Sequence, residues 1–255
     1  MRIYRFRRGE QPAYGLLRGE SLIPLRGSVF EEFGLEDDAL PLGEATLLAP
    51  VEPSKIVCVG RNYKDHAAEL GNPLPEEPLL FLKPSTSVIG PQAAILYPPA
   101  SRRVDFDGEL AVVIRRRASR LPDDEPVEPY ILGYTAFNDV TARDLQEKDK
   151  QFTRAKSFDT FAAVGPCLAV GLDPGDLAIK TFLNGQLRQS SRKKHLIFPV
   201  PFLVRFISNI MTLLPGDVIA TGTPAGVGPM VPGDRVDVQV EGVGTLSNEV
   251  QRRPP

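Results

Sequence analysis

Apolar runs in this sequence are short, and proline or glycine closes nearly all of them, so the class of fold is constrained before any motif is considered. The 255 residues include 25 prolines and 22 glycines. Runs such as Ile56-Val57-Cys58-Val59-Gly60 and Phe81-Leu82-Lys83-Pro84 can cross a sheet but are too short for a stable buried helix. Helical patterning is confined to three places. These are a polar stretch at 65–70 stopped by Gly71 and Pro73, residues 141–150, and an apolar segment at 201–214, where Phe202, Phe206, Ile210 and Leu213 recur at helical spacing. The chain therefore reads as α+β and mostly β. Residues 1–48 alternate short apolar runs with turn residues, which predicts a small N-terminal β subdomain. Pro50 and Pro53 mark the boundary, and a second domain, 55–255, holds all the candidate chemistry.

A net charge of −2 provides no basic field for phosphate backbones or anionic lipid, which argues against nucleic-acid and membrane partners. No run of about 18 apolar residues occurs and the start lacks a signal-peptide pattern, so the expected location is the cytoplasm. Cys58 and Cys167 lie far apart in apolar contexts and are read as buried, reduced thiols.

The chemistry concentrates in acids. In Val104-Asp105-Phe106-Asp107-Gly108-Glu109-Leu110-Ala111-Val112-Val113-Ile114 a strand period of two puts Asp105, Asp107 and Glu109 on one face. Like charges so crowded at the head of an apolar strand call for water or a cation. Asp139 follows at the end of another apolar run, where a helix N-cap is the plain alternative. An all-oxygen set of carboxylates suits Mg²⁺ or Mn²⁺, is compatible with Ca²⁺, and disfavours zinc and copper. His66 and Glu69, three apart on a short polar helix, could form a general-base dyad or simply a solvated ion pair. Thr221 to Gly228 is glycine-rich but lacks the G-K-[ST] ending of a phosphate loop, so nucleotide binding is not implied.

Those segments, together with Cys58-Val59-Gly60-Arg61-Asn62-Tyr63, Phe81-Leu82-Lys83-Pro84-Ser85, Ala155-Lys156-Ser157-Phe158-Asp159 and Thr221-Gly222-Thr223-Pro224-Ala225-Gly226-Val227-Gly228, resemble the fumarylacetoacetate hydrolase family over about residues 55–250. The resemblance implies a mixed, rolled β-sheet core, assembly as a homodimer, and a Mg²⁺ or Mn²⁺ site from an E-x-E pair plus a later Asp. Asp107 and Glu109 stand in the pair and Asp139 in the later position. Asp107 is one methylene shorter than the usual Glu, so it could reach an ion through water, with Asp105 a conceivable substitute. By the same resemblance His66 and Glu69 are the catalytic dyad, Lys156 supplies positive charge, Arg143 and Gln146 bind substrate, and Thr223 contacts it. A lid over residues 71–78 is also expected.

Chelation of a 2-oxo acid by such an ion would stabilise an enolate. The leading expectation is an isomerase or decarboxylase acting on 2-hydroxyhepta-2,4-diene-1,7-dioate and its tricarboxylate precursor in aromatic catabolism. An acylpyruvate hydrolase or oxaloacetate decarboxylase would use the same site. From other classes, Ser190-x-x-Lys193 suggests a metal-free Ser-Lys hydrolase, and the acids alone would suit a non-catalytic metal-binding module. The Arg192-Lys193-Lys194-His195 cluster reads as a solvated basic turn, with contact to a distal substrate carboxylate as the minority reading.

Overall fold

The computed structural model describes residues 1–69, 73–173 and 175–253. Among them, a 12-stranded sheet runs in the order Phe33–Leu35, Ser21–Gly27, Gln11–Arg18, Arg2–Arg8, Ala162–Val170, Ile131–Asp139, Gly108–Ile114, Val218–Ala220, Lys55–Gly60, Leu79–Pro84, with two short strands off this path. Most pairs are antiparallel, but Val218–Ala220 joins Lys55–Gly60 in parallel, so the sheet is mixed. The N-terminal strands continue this sheet through the pairing of Arg2–Arg8 with Ala162–Val170. A five-stranded sheet and a three-stranded one complete the β structure of the described residues.

The central strand explains the placement of the core. All seven residues of Gly108–Ile114 are buried. Leu110, Val112 and Ile114 enter one apolar cluster and Ala111 and Val113 the other, so the sheet lies between two cores and its strand needs apolar residues on both faces. Each fully buried Leu, Val or Ile contributes about 1.5–3 kcal/mol, which is why these strands read as unbroken apolar runs. Cys58 and Cys167 are buried free thiols.

The helices are short: Lys64–Glu69, Arg143–Asp149, Thr153–Lys156 and Val200–Ile210. Two sequence expectations need correction. Residues Thr141–Ala142 are a strand rather than the first turn of a helix, and the cap of Arg143–Asp149 is Ala142, so Asp139 is no N-cap. In Val200–Ile210 the face that enters the core is Val200, Leu203, Val204 and Ile207, whereas Phe202 and Ile210 are exposed. The outer side of that helix carries Phe202, Phe206 and Ile210 beside Arg205 and Asn209, so one apolar repeat does not by itself mark the inward face; this stripe stacks Phe198 on Phe202 and Phe202 on Phe206. No helix among the described residues is long and apolar enough to cross a membrane.

Candidate active site

Strand register brings the acids together. Glu109 is paired with Phe137, and two residues beyond, the Asp139 N–H donates to the Asp107 carbonyl at 2.9 Å. Ala111, Phe137 and Cys58 belong to one face of the sheet, and period two places Glu109 and Asp139 on that same face. Lys83 pairs opposite Ile56, a residue of that face too. Asp107 falls in the break between Val104–Phe106 of the small sheet and Gly108–Ile114 of the large one. Its N–H is held by Asn138 Oδ1 at 3.0 Å.

A cavity of about 410 Å³ opens here. Asp107, Glu109 and Asp139 lie on its buried floor with Lys156, while Arg143, Gln146 and Thr223 also line it. The Lys156 Nζ donates to Asp139 Oδ2 at 2.5 Å and to Asp107 Oδ2 at 3.1 Å, and sits 4.9 Å from the Phe81 ring centre. Arg143 donates from Nε to Asp105, from one terminal nitrogen to Asp107 and from the other to Gln146 Oε1 at 2.7 Å. Thr141 Oγ1 donates to Asp107 Oδ2 at 2.9 Å. Glu109 accepts the Gly222 N–H at 2.7 Å. Thr223 donates its hydroxyl hydrogen to the Gly108 carbonyl and accepts from Gln189 Nε2.

The electrostatics follow from burial. Burial pulls the Lys156 ammonium down, but Asp139 and then Asp107 outweigh it and leave the pKa raised. Arg143 is raised in the same way, with Asp107 and Asp105 overcoming its burial. Glu109 is raised well above the ordinary carboxylate value by burial first and by Asp139 second, with the Gly222 N–H and Lys156 opposing. Lys83, fully buried, is lowered because burial outweighs its contact with Asp139.

Oxygen donors without thiol or imidazole suit a hard divalent cation. Among the described residues, no three acidic, histidine or cysteine groups enclose an ion as they stand, and the Lys156 ammonium bridges Asp107 and Asp139. The residues fit an ion through the charge they leave uncompensated: a buried Glu109 that burial and two neighbouring acids disfavour as an anion is stabilised by a divalent charge beside it.

Fumarylacetoacetate (FAA) hydrolase C-terminal is the family that matches residues 55–251. The chain belongs to the fumarylacetoacetate hydrolase family. Residues 1–50 match a second family, Rv2993c-like, N-terminal. The solved 2-hydroxyhepta-2,4-diene-1,7-dioate isomerase from Mycobacterium marinum superposes with a TM-score of 0.92 at 41% identity, covering 100% of both chains. Oxaloacetate tautomerase YisK of Bacillus subtilis is 41% identical over 82% of this chain and 74% of its own. A maleylpyruvate hydrolase from Sphingobium, solved with manganese(II) and pyruvate, gives a TM-score of 0.81 at 28% identity, again covering 100% of both chains. The fold is thus the mixed, mostly β fold of this family.

Within that family frame several sequence expectations change. Asp105 does not substitute as a cavity acid: it is held by Arg103 and Arg143 and anchors the latter. The strand break at Asp107 removes the single face on which alternation placed all three acids. Lys193 donates to the Gly175 carbonyl at 3.3 Å rather than to Ser190, which leaves the Ser-Lys reading without its contact. Arg192 and Lys194 are spent on Asp176, as the solvated-turn reading expects. Glu69 accepts the Gly226 N–H at 3.0 Å, which brings its helix to the Thr221–Gly228 segment. The side chain of His66 and residues 71 and 72 of the expected lid lie outside the described residues.

Lys83 escaped sequence reasoning although its motif was recognised. Its Nζ donates to Asp139 Oδ1 at 2.6 Å and to the Val140 carbonyl at 3.1 Å. A lysine in an otherwise apolar strand was the available signal. Gln189 was also missed; it joins the Gly108 N–H to Thr223 and the Pro224 carbonyl.

Gly226 adopts a φ of +99°, and a Cβ there would lie 2.1 Å from the Arg188 carbonyl oxygen. Gly226→Ala is expected to destabilise the protein by about 3 kcal/mol and lower the melting temperature by roughly 6–12 °C, measurable by scanning calorimetry. An unchanged melting temperature would show that the loop can relax at no cost.

Proposed function

We propose that this protein is a divalent-metal-dependent enzyme that moves a proton at C3 of a small 2-oxo carboxylate, or between the enol oxygen and C3 or C5 of a 2-hydroxydienoic one. In this reading it is an isomerase of the 2-hydroxyhepta-2,4-diene-1,7-dioate type, and decarboxylation of 5-oxopent-3-ene-1,2,5-tricarboxylate is open to the same site. The observation that carries the reading is one cavity with carboxylates of two separate strands on its floor and two cations beside them. An isomerase and a tautomerase among the relatives support proton movement.

A bound Mg²⁺ or Mn²⁺ would supply a Lewis acid for the keto oxygen, with Glu109 and Asp139 placed to hold it and Asp107 adjoining. Arg143 commits three of its five N–H groups to Asp105, Asp107 and Gln146, which leaves one hydrogen on each terminal nitrogen for a substrate carboxylate. Lys156 commits two hydrogens to carboxylates and keeps a third for charge developing on the C2 oxygen. Phe81 and Phe152, whose ring centres are 5.3 Å apart, contribute apolar wall that keeps water from the reacting carbon.

The test is hydrogen exchange at C3, and also at C5 for the hydroxydienedioate, followed by proton NMR in D2O with Mg²⁺, for oxaloacetate, 2-oxopentanoate and the hydroxydienedioate. Expected is loss of the C3 signal that EDTA stops and Lys156→Met slows about 10²-fold. No exchange with any of the three would sink the proton-transfer reading, and exchange indifferent to EDTA would remove the metal from it.

Cleavage of an acylpyruvate, or decarboxylation of oxaloacetate, is the second reading. It is favoured by the Glu69 contact with Gly226, which brings one member of the expected His66/Glu69 dyad next to the loop bearing Thr223. Release of pyruvate from acetylpyruvate would decide in its favour.

A further inference from the structure

Two cations in the cavity have no counterpart. Arg61 and Lys150 line it, and neither side chain makes a hydrogen bond or ion pair with any described residue. Every other cation of the cavity is committed: Lys156 to Asp107 and Asp139, and Arg143 to Asp105 and Asp107. Lys150 is exposed and Arg61 half-buried, whereas the three acids of the floor are buried, so the free cations stand at the mouth. Both are held there by unusual backbone, with φ of 57° at Arg61 and 60° at Lys150, a region that L side chains seldom adopt.

Charge divides the cavity into two parts. On the floor, Asp107, Glu109 and Asp139 are balanced by Lys156, Arg143 and the Lys83 that holds Asp139, so a divalent ion would leave the floor positive, as the carboxylate of a 2-oxo acid head requires. At the mouth, Arg61 and Lys150 exceed Glu147 by one positive charge, and nothing among the described residues answers it. Leu79, Phe81 and Phe152 line both this cavity and the one beside it, as do Arg61 and Lys150, and give an apolar path between the two charged parts.

We propose that Arg61 and Lys150 form a subsite for a second, distal carboxylate, and that they select 2-oxo dicarboxylic acids over 2-oxo monocarboxylic acids. The inference rests on the 2-oxo acid reading of the floor. It also replaces the Arg192–His195 cluster as the source of a distal contact, since that cluster is spent on Asp176 and the Gly175 carbonyl. A fork from Arg61 supplies directed hydrogen bonds to a carboxylate, and Lys150 supplies a point charge, so an acid with an uncharged methyl end gains from neither.

A matched pair of ligands tests this directly. 2-Oxopentanedioate and 2-oxopentanoate share a chain length and a chelating head and differ only at the far end. Calorimetric titration into the Mn²⁺-loaded protein should show the diacid binding at least about tenfold more tightly, with the advantage shrinking as ionic strength rises. In the Arg61→Gln, Lys150→Gln double variant the two affinities should come within about twofold of each other, while that of the monoacid stays where it was. Glu147→Gln, a change on an exposed helix surface, should raise diacid affinity about threefold and keeps the test open if the double variant folds poorly. Equal binding of the two acids by the wild type overturns the subsite and leaves the 2-oxo acid reading standing, as does an undiminished preference in the double variant. Binding of neither acid overturns both.

Discussion

Glu109→Gln is expected to raise the stability of the metal-free protein at neutral pH and to abolish the stabilisation that a divalent ion confers. Burial and Asp139 push the Glu109 carboxyl well above its ordinary value in the folded state. Between the ordinary value, about 4.3, and the raised one, the folded chain holds a proton that the unfolded chain has released. The stability contributed by Glu109 is therefore fully present below the ordinary value and is lost as pH rises through the raised one. Gln keeps the shape and can still accept the Gly222 N–H, but it carries no charge to desolvate. It also cannot hold a cation. Calorimetry at pH 5 and pH 7, with and without Mn²⁺, should show the metal-free variant gaining on the wild type as pH rises. The Mn²⁺-induced increase in melting temperature should disappear. Loss of kcat/KM should reach about 10²- to 10³-fold. A variant that Mn²⁺ stabilises as much as it stabilises the wild type would show that Glu109 is not where the ion sits.

Lys83→Met should cost about 3 kcal/mol, or roughly 6–12 °C in melting temperature. Lys83 is fully buried, and its ammonium serves Asp139 Oδ1 and the Val140 carbonyl together. Met fills similar space and supplies no donor, so the Val140 carbonyl is left unpaired and Asp139 keeps Lys156 alone. Such a loss is dominated by the charge that remains behind. Adding Asp139→Asn should consequently recover about 1–2 kcal/mol of it, because the amide needs less compensation. Denaturant titration of the two single variants and the double variant measures this coupling. Additive losses would mean that Lys83 stabilises the fold by its aliphatic stem and not through Asp139.

Sequence conveyed the architecture unevenly, for physical reasons that differ by residue. Short apolar runs between prolines and glycines announced strands buried on both faces, and Gly108–Ile114 is such a strand. Alternation failed at Asp107, because period two assumes an unbroken strand, whereas the chain passes there from one sheet to another. Asp105 consequently turns to Arg103 and Arg143. Spacing revealed the helix at Val200–Ile210 without its inner side, since Phe202 and Leu203 are equally apolar and only the neighbouring strands choose between them. Within the site, Asp107, Glu109, Asp139, Lys156, Arg143 and Gln146 do meet around one cavity, but the family pattern named the last three and their types alone did not. Lys83 and Arg61 were invisible for a related reason: each lies in a recognised motif, and only three-dimensional neighbours distinguish a paired lysine from an idle arginine.

The Asp139 amide on the Asp107 carbonyl and the Asn138 side chain on the Asp107 amide fasten the two acidic segments to each other through the main chain. The spacing of the α-carbons at 107 and 139 is thereby set by the main chain and not by side-chain rotamers. For a divalent ion held by these acids, as proposed, preference among cations would then be retuned through the reach of a single arm, and exchanging two carbons for three at position 107 is one such adjustment.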